Sequence, residues 1–210
     1  MPAADTASPT LRPDLQIVAD MIEPGSRVLD VACGDGMLLS YLSREKRIDG
    51  RGMELSQTGV NACVARGLSV IQGDADRDLT DYPDNAFDYV ILSQSLQVLR
   101  YPREVLLEML RIGRKAVVSF PNFGHWRIRW QLLKNGRMPV TLAIPQVWYD
   151  TPNIHFCTIL DFVDLCRDLN VALERGITVD HAGRVTAVAR FGRLANLWGE
   201  QGIFLLARKG

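Results

Sequence analysis

An α/β fold is what this sequence predicts: a doubly wound, mostly parallel sheet with helices on both faces and an antiparallel edge. Three observations carry it. Short apolar runs alternate with helix-length amphipathic segments from residue 14 to residue 120. The run Phe87–Ser93 is apolar enough for a central parallel strand, buried on both faces. The run that ends at Val31 empties into a glycine-containing turn, and a helix-like segment starts at Met37. A strand feeding a helix through glycines is the repeating unit of such sheets.

The elements follow in order. Asp14 to Ile22 fits a short helix, with Leu15, Val18, Ala19 and Ile22 on one face, and Pro24-Gly25 ends it. Arg27–Val31 is the first strand and Gly36–Lys46 the first crossover helix. Gly50–Glu54 is the second strand; Ser56 then caps a helix through Arg66 that stops at Gly67. Leu68–Gln72 and Phe87–Ser93 are the third and fourth strands. A helix over Pro102–Ile112 turns Val105, Leu106, Met109 and Leu110 inward, and the fifth strand, Lys115–Phe120, is halted by Pro121. The second half is less regular. Phe123–Leu133 reads as helical, Gly136–Asp150 as a proline-punctuated loop, and Thr158–Leu169 as a capped helix. Val171–Val179 and Gly202–Ala207 are expected as a last, antiparallel edge pair. Residues 181–198, with Gly/Arg turns and few core positions, suit a lid or a mobile loop.

Composition sets the bounds. With 210 residues and 47% hydrophobic content, one core and a single domain over residues 11–210 are the natural expectation. Residues 1–10, rich in Ala, Pro, Ser and Thr, read as a disordered tail without the basic and apolar regions of a secretory signal. The formal charge of zero argues against bulk attraction to nucleic acid or membrane. No apolar run approaches the roughly 20 residues of a membrane span. Four cysteines lie far apart without a CxxC pair, so they are expected reduced, in a cytoplasm, and not bound to zinc.

The turn after the first strand is Asp30-x-Ala32-x-Gly34-x-Gly36, and an acid, Glu54, closes the second strand about twenty residues on, placed to grip a ribose diol. A dinucleotide site wants Gly-x-Gly-x-x-Gly with its helix aimed at a pyrophosphate. Here the third glycine is missing, and the carboxylate of Asp30 would repel a pyrophosphate while suiting the ammonium of an amino acid. The pattern resembles motif I of the class I S-adenosylmethionine-dependent methyltransferases, a Rossmann-like fold. That resemblance implies a pocket for S-adenosylmethionine or S-adenosylhomocysteine. Gly34 and Gly36 would let the backbone approach the methionine moiety, and Glu54 would take the ribose hydroxyls. Asp74 would bond the adenine amine, with Ala75 beside the ring. Ser93, with Gln94, would stand where the amino-acid end and a substrate meet. The family's first glycine is Ala32 here, a methyl group that either crowds the ligand or is tolerated. The plainer alternatives are a tight-turn residue for Asp74 and an ordinary strand-to-helix turn for Ser93-Gln94.

No catalytic residue is identified. The fourth-strand exit, Ser93-Gln94-Ser95-Leu96, lacks the Asn/Asp-Pro-Pro-aromatic run of amide-N methyltransferases, and no Pro-Cys motif is present. His155 with Asp150 is a candidate acid–base pair, against the plainer reading of a helix-flanking hydrogen-bonder. His125 and His181 have no metal-ligand partner at a convincing spacing.

Between Glu108 and Asp150 there is no acidic residue, while Arg111, Arg114, Lys115, Arg127, Arg129, Lys134 and Arg137 are basic, interleaved with Phe123, Trp126 and Trp130. Three readings stand: a hot-spot surface for a protein partner, an RNA surface, or a helix over the sheet with Trp126 and Trp130 buried and its arginines reaching outward.

Longer runs narrow the family. Leu11-Arg12-Pro13-Asp14-Leu15, Val70-Ile71-Gln72-Gly73-Asp74, Leu92-Ser93-Gln94-Ser95-Leu96-Gln97, Ser119-Phe120-Pro121-Asn122-Phe123-Gly124-His125-Trp126-Arg127 and Trp148-Tyr149-Asp150-Thr151-Pro152-Asn153-Ile154-His155 together resemble the MetW family of bacterial methionine-biosynthesis proteins, over residues 11 to 180. The resemblance implies a methyltransferase-like subunit that acts with MetX, a homoserine O-acyltransferase carrying its own nucleophilic serine. Phe123, Trp126, Arg127 and Trp130 are then the candidate interface, and an S-adenosyl pocket would sense the end product. The alternative is a methyltransferase acting on a small molecule or, behind that, on RNA.

Overall fold

The structure is a computed structural model that describes residues 11–141, 144–180, 183–187 and 192–209. The expected tail over residues 1–10 and His181 lie outside the described residues. In chain order the helices are α1 (Pro13–Asp20), α2 (Met37–Lys46), α3 (Gln57–Ala65), α4 (Pro102–Ile112), α5 (Trp126–Asn135), α6 (Ile159–Asp168) and α7 (Arg193–Trp198). The strands are β1 (Arg27–Val31), β2 (Asp49–Glu54), β3 (Val70–Gln72), β4 (Phe87–Ser93), β5 (Gly113–Pro121), β6 (Val171–Val179), β7 (Val185–Ala187) and β8 (Gln201–Arg208). They form one sheet in the order β3-β2-β1-β4-β5-β8-β6-β7. Strands β1 to β5 run parallel to one another, and β8 runs antiparallel to both β5 and β6.

Side chains alternate across the sheet, as strand geometry requires. On one face Leu29, Val31, Val90, Leu92, Ala116, Val118, Phe204 and Leu206 pack against α4 (Val105, Leu106, Met109) and α6 (Phe162, Cys166). Phe162 lies 4.8 Å, centroid to centroid, from both Phe120 and Phe204. On the other face Val28, Tyr89, Ile91, Val117 and Ile203 pack under α1 (Leu15, Val18, Ala19) and α2 (Leu38, Leu39, Leu42). Helix ends follow local chemistry. Ser56 Oγ accepts from Gly59 N at the start of α3. Thr158 and Asp161 form a reciprocal capping box at α6.

Two expectations change. Val171–Val179 and Gly202–Ala207 do pair antiparallel, but β8 slots between β5 and β6. Its run Ile203, Phe204, Leu206 is buried on both faces and needs a neighbour on each side. The sheet edge is instead β7, which with α7 lies in the 181–198 segment expected as a lid or loop; residues 181, 182 and 188–191 of it lie outside the described residues. Second, α5 starts at Trp126, where the His125 ring accepts from Arg127 N. Only Ile128 of that helix is buried, and Trp126 is 38% and Trp130 57% exposed. The reading that buries both tryptophans is overturned.

Candidate functional site

Strands β1 and β4 supply the floor of the site. On the α1-facing side of β1, Val28 is followed two residues on by Asp30, and on β4 Ile91 is followed by Ser93. On β5, Val117 is followed by Ser119, which pairs with Ser93 in the ladder. Each of these apolar columns turns polar at the carboxyl end of its strand, where ligands of open α/β sheets bind. Ser93 and Ser119 hydroxyls are 3.1 Å apart. Gln94 adopts φ +55°, unusual for a residue with a side chain, held by bonds from its N–H to Ser119 O (2.9 Å) and Oγ (3.1 Å).

The turn after β1 alternates left-handed residues: Ala32 (φ +55°), Gly34 (+59°) and Gly36 (+74°). Glu54 at the end of β2 braces it, accepting from Gly34 N and from Ser56 N, both at 2.9 Å. Asp35 caps α2 through Met37 N (3.2 Å) and is gripped by Arg66, whose Nη2 is 2.8 Å from Oδ2. The two glycines differ in purpose. A Cβ on Gly34 would meet nothing within 4 Å, whereas one on Gly36 would sit 2.5 Å from Leu68 Cδ1 and 2.8 Å from Cys63 Sγ. Gly34 faces open space, and Gly36 is required for close packing against α3.

A cavity of about 280 Å³ opens here, walled by the turn (Ala32, Cys33, Gly34, Asp35), by Met37 and Leu38 of α2, by Asp30 and Ser93 below, and by Arg12 and Leu15 beside it. Asp30 is 2% exposed and has no hydrogen-bond partner among the described residues. Burial, and after it the charge of Glu54, pushes its carboxyl up to about 7. Burial and the charge of Asp30 also push the Cys33 thiol far up, which keeps it neutral; its Sγ is 3.7 Å from that of Cys63, both thiols free.

The structure therefore brings four of the sequence-selected residues, Asp30, Ala32, Gly34 and Ser93, into one cavity, with Glu54 bonded to its rim. Asp74 and Ala75 are not in its wall. Asp74 Oδ1 accepts from Asp76 N (3.0 Å) in a tight turn, and Ala75 packs on the α4-side core. His155 meets the Arg100 carbonyl at 3.4 Å, as the plainer reading of a hydrogen-bonder has it, and the candidate pair with Asp150 is not formed. His125 is buried as the α5 cap. Arg12 and Leu15 escaped sequence reasoning; only the fold carries α1 over the turn. A larger hollow of about 540 Å³ lies along β2 and β3 and shares no residue with this cavity. Among the described residues no group of three or more His, Cys, Asp and Glu could hold a metal, and no helix is long and apolar enough to cross a membrane.

A second feature is an exposed aromatic face. Trp126 stands 6.0 Å from Trp198 of α7, and the Arg127 guanidinium lies 5.5 Å over the Trp126 ring, with Nη1 3.6 Å from Glu200. Trp130, Leu133, Trp148 and Tyr149 are exposed nearby in sequence, and Phe123 packs on Phe156 at 4.6 Å. Asn122, 1% exposed, secures the base of this face by donating to Asn196 O and Gly199 O, both at 2.7 Å, and accepting from Gly124 N and Ile159 N.

Comparison with known proteins places this architecture. Residues 12–206 match the family model described as "Methionine biosynthesis protein MetW". The chain is 37% identical over 187 residues to the "Bifunctional methionine biosynthesis protein MetXA/MetW" of Rhodopirellula baltica, covering 84% of this chain and 30% of that relative. It is 41% identical over 97 residues to a fatty-acid O-methyltransferase of Mycolicibacterium smegmatis, covering 43% of this chain and 34% of that one. The chain thus spans about a third of the length of either relative. Among solved structures, an S-adenosylmethionine-dependent methyltransferase from Thermotoga maritima superposes with a TM-score of 0.68 at 18% identity, over 93% of this chain and 87% of the other. The fold is that of the class I methyltransferases.

Proposed function

The chain belongs to the MetW family of methionine-biosynthesis proteins, and from that premise we propose that it is the companion, activating subunit of a MetX-type homoserine O-acyltransferase, with an S-adenosyl cavity that senses the end product. The observation that carries this reading is the Rhodopirellula relative, whose name joins MetXA and MetW in one polypeptide. Fusion fixes two parts at an effective concentration on the order of millimolar, an arrangement that suits subunits which work together.

The residues support the division of labour. The cavity wall, among the described residues, contains acids, a guanidinium, a neutral thiol and a hydroxyl, but no His, Lys or Tyr. S-adenosylmethionine fits its amino-acid end: the unpartnered Asp30 carboxylate takes the ammonium, Ala32 and Gly34 present bare backbone, and Ser93 offers a hydroxyl. Glu54 keeps lone pairs for the ribose beyond its two backbone bonds. Asp74 and Ala75 would reach the adenine across the rim, and Gly36 sets the turn. When bound, the molecule supplies a sulfonium-activated methyl group; in this reading its presence, not its methyl, is what the partner registers. Phe123, Trp126, Arg127 and Trp130 form the proposed interface, aromatic and basic as interface hot spots are. Residues 11–210 act as one domain, in the cytoplasm.

A second reading, a small-molecule methyltransferase, is favoured by the likeness to the fatty-acid O-methyltransferase. Gel filtration of the chain with a homoserine O-acyltransferase, acyl-transfer rates with and without S-adenosylmethionine, and a labelled-methyl assay separate the two. Co-elution with a changed acyl-transfer rate and no methyl product supports the companion. Methyl transfer by the isolated chain, without association, overturns it.

A further inference from the structure

The wall that α1 adds to the cavity matches the other half of an α-amino acid. We infer that Arg12 is the carboxylate anchor of the cavity, so that Asp30 and Arg12 together clamp the charged ends of an α-amino-acid group; this rests on the reading of the cavity as an S-adenosyl site. The strand period points Asp30, like Val28, toward the face that α1 covers. Helix α1 is fixed there by Leu15, Val18 and Ala19 in the core, with Pro13 at its first turn. That places Arg12, at the helix N-terminus, in the same cavity wall as the buried and unpartnered Asp30.

Two of the charges in the wall already have partners. Asp35, the other acid in the wall, is already held by Arg66 at 2.8 Å. Arg12 has one carboxylate partner, Asp14 Oδ2 at 3.2 Å from Nη2, and a guanidinium carries five N–H donors in a planar fork suited to carboxylates. A ligand with an ammonium and a carboxylate on one carbon would neutralise Asp30 at one end and engage Arg12 at the other. The cavity of about 280 Å³ suits that end of the ligand, consistent with Glu54, Asp74 and Ala75 standing outside its wall.

The test is a cycle of two ligands and three proteins, read by calorimetric titration. The ligands are S-adenosylhomocysteine and its decarboxylated analogue, which keeps the ammonium and the nucleoside. The proteins are the wild type, Arg12→Ala and Arg12→Lys, each checked for an unchanged melting profile. Wild type should prefer the carboxylate-bearing ligand by about tenfold or more. Arg12→Ala should bind both ligands alike, and Arg12→Lys should restore part of the preference. A preference that survives in Arg12→Ala, or that wild type lacks, overturns the assignment of Arg12. Failure of wild type to bind either ligand overturns the S-adenosyl reading itself, and the clamp with it.

Discussion

Replacing Asp30 by asparagine should leave the chain unchanged in acid and make it more stable above neutral pH. The unfolded chain gives up this proton near 3.8, the ordinary carboxyl value, and the folded chain only at about 7, because burial and then Glu54 oppose the charge. Between those values the folded state holds the extra proton, so its stability falls as pH rises; below the window both states are protonated, above it both are ionised, and the slope vanishes. At ~1.4 kcal/mol for each tenfold in proton affinity, the fall is roughly 4 kcal/mol. Asparagine keeps the shape and never carries the charge. Urea denaturation of both proteins from pH 4 to 8.5 should therefore show a difference in unfolding free energy that grows up to about pH 7 and then holds. Titrating groups remote from Asp30 cancel in that difference. Saturating S-adenosylhomocysteine should shrink it, since its ammonium would pair with the ionised Asp30. Parallel curves for the two proteins across the window would refute the placement of Asp30 as an unpaired group buried in the cavity wall.

The two glycines of the turn should separate by assay. Gly36→Ala should cost the fold about 2–4 kcal/mol in chemical denaturation, combining left-handed strain with overpacking against Leu68 and Cys63. Gly34→Val should cost about 1–2 kcal/mol of strain yet abolish calorimetric binding of S-adenosylhomocysteine, because its side chain projects into the cavity. Ala32→Gly removes strain at φ +55° but loosens the unfolded chain, so stability should stay within about 1 kcal/mol of wild type with binding no weaker. Trp130→Ala, at a side chain 57% exposed, should leave the melting temperature unchanged and weaken association with a homoserine O-acyltransferase by more than about 1 kcal/mol. Unchanged affinity in a pull-down titration would remove Trp130 from the interface.

Legibility followed the range of the interactions. Strands β1, β4 and β6 and helix α4 coincide with their sequence expectations to the residue, because each is bounded by local signals: glycine or proline punctuation and a period of two or 3.6. The glycine turn at 30–36, which walls the cavity, was legible for the same reason. The place of β8 was not, since its partners on β5 and β6 lie far away in the chain. Strand β7 has three exposed residues and α7 buries only Asn196, so neither leaves a periodic trace. In the site, the sequence could pair Asp30 with Gly34 but not with Arg12, whose position depends on α1 folding back over β1. Nor could it tell that Gly36 serves packing against α3, a contact made 27 residues on at Cys63. The exposure of Trp126 and Trp130 was equally beyond it, because an i, i+4 pair of tryptophans suits a buried stripe and an interface alike.

A chain of hydrogen bonds runs from the cavity floor through Gln97 to the segment beyond the aromatic loop. Gln97, 6% exposed, accepts from Ile154 N and His155 N at 3.0 Å through its main-chain carbonyl, fixing the segment that carries Trp148, Tyr149 and Phe156. Its side-chain amide donates to Gln94 O at 2.7 Å, and Gln94 in turn holds Ser119 beside Ser93 in the cavity floor. Contiguity of this kind is a route for coupling. Sensing requires the ligand to favour one state of the partner complex, and linkage then makes the effect reciprocal. If S-adenosylmethionine changes affinity for the acyltransferase by some factor, the acyltransferase must change affinity for S-adenosylmethionine by the same factor. Measuring both factors is a stronger test than either activity assay, because an unrelated effect of the nucleoside on acyl transfer changes the rate and leaves both factors at one.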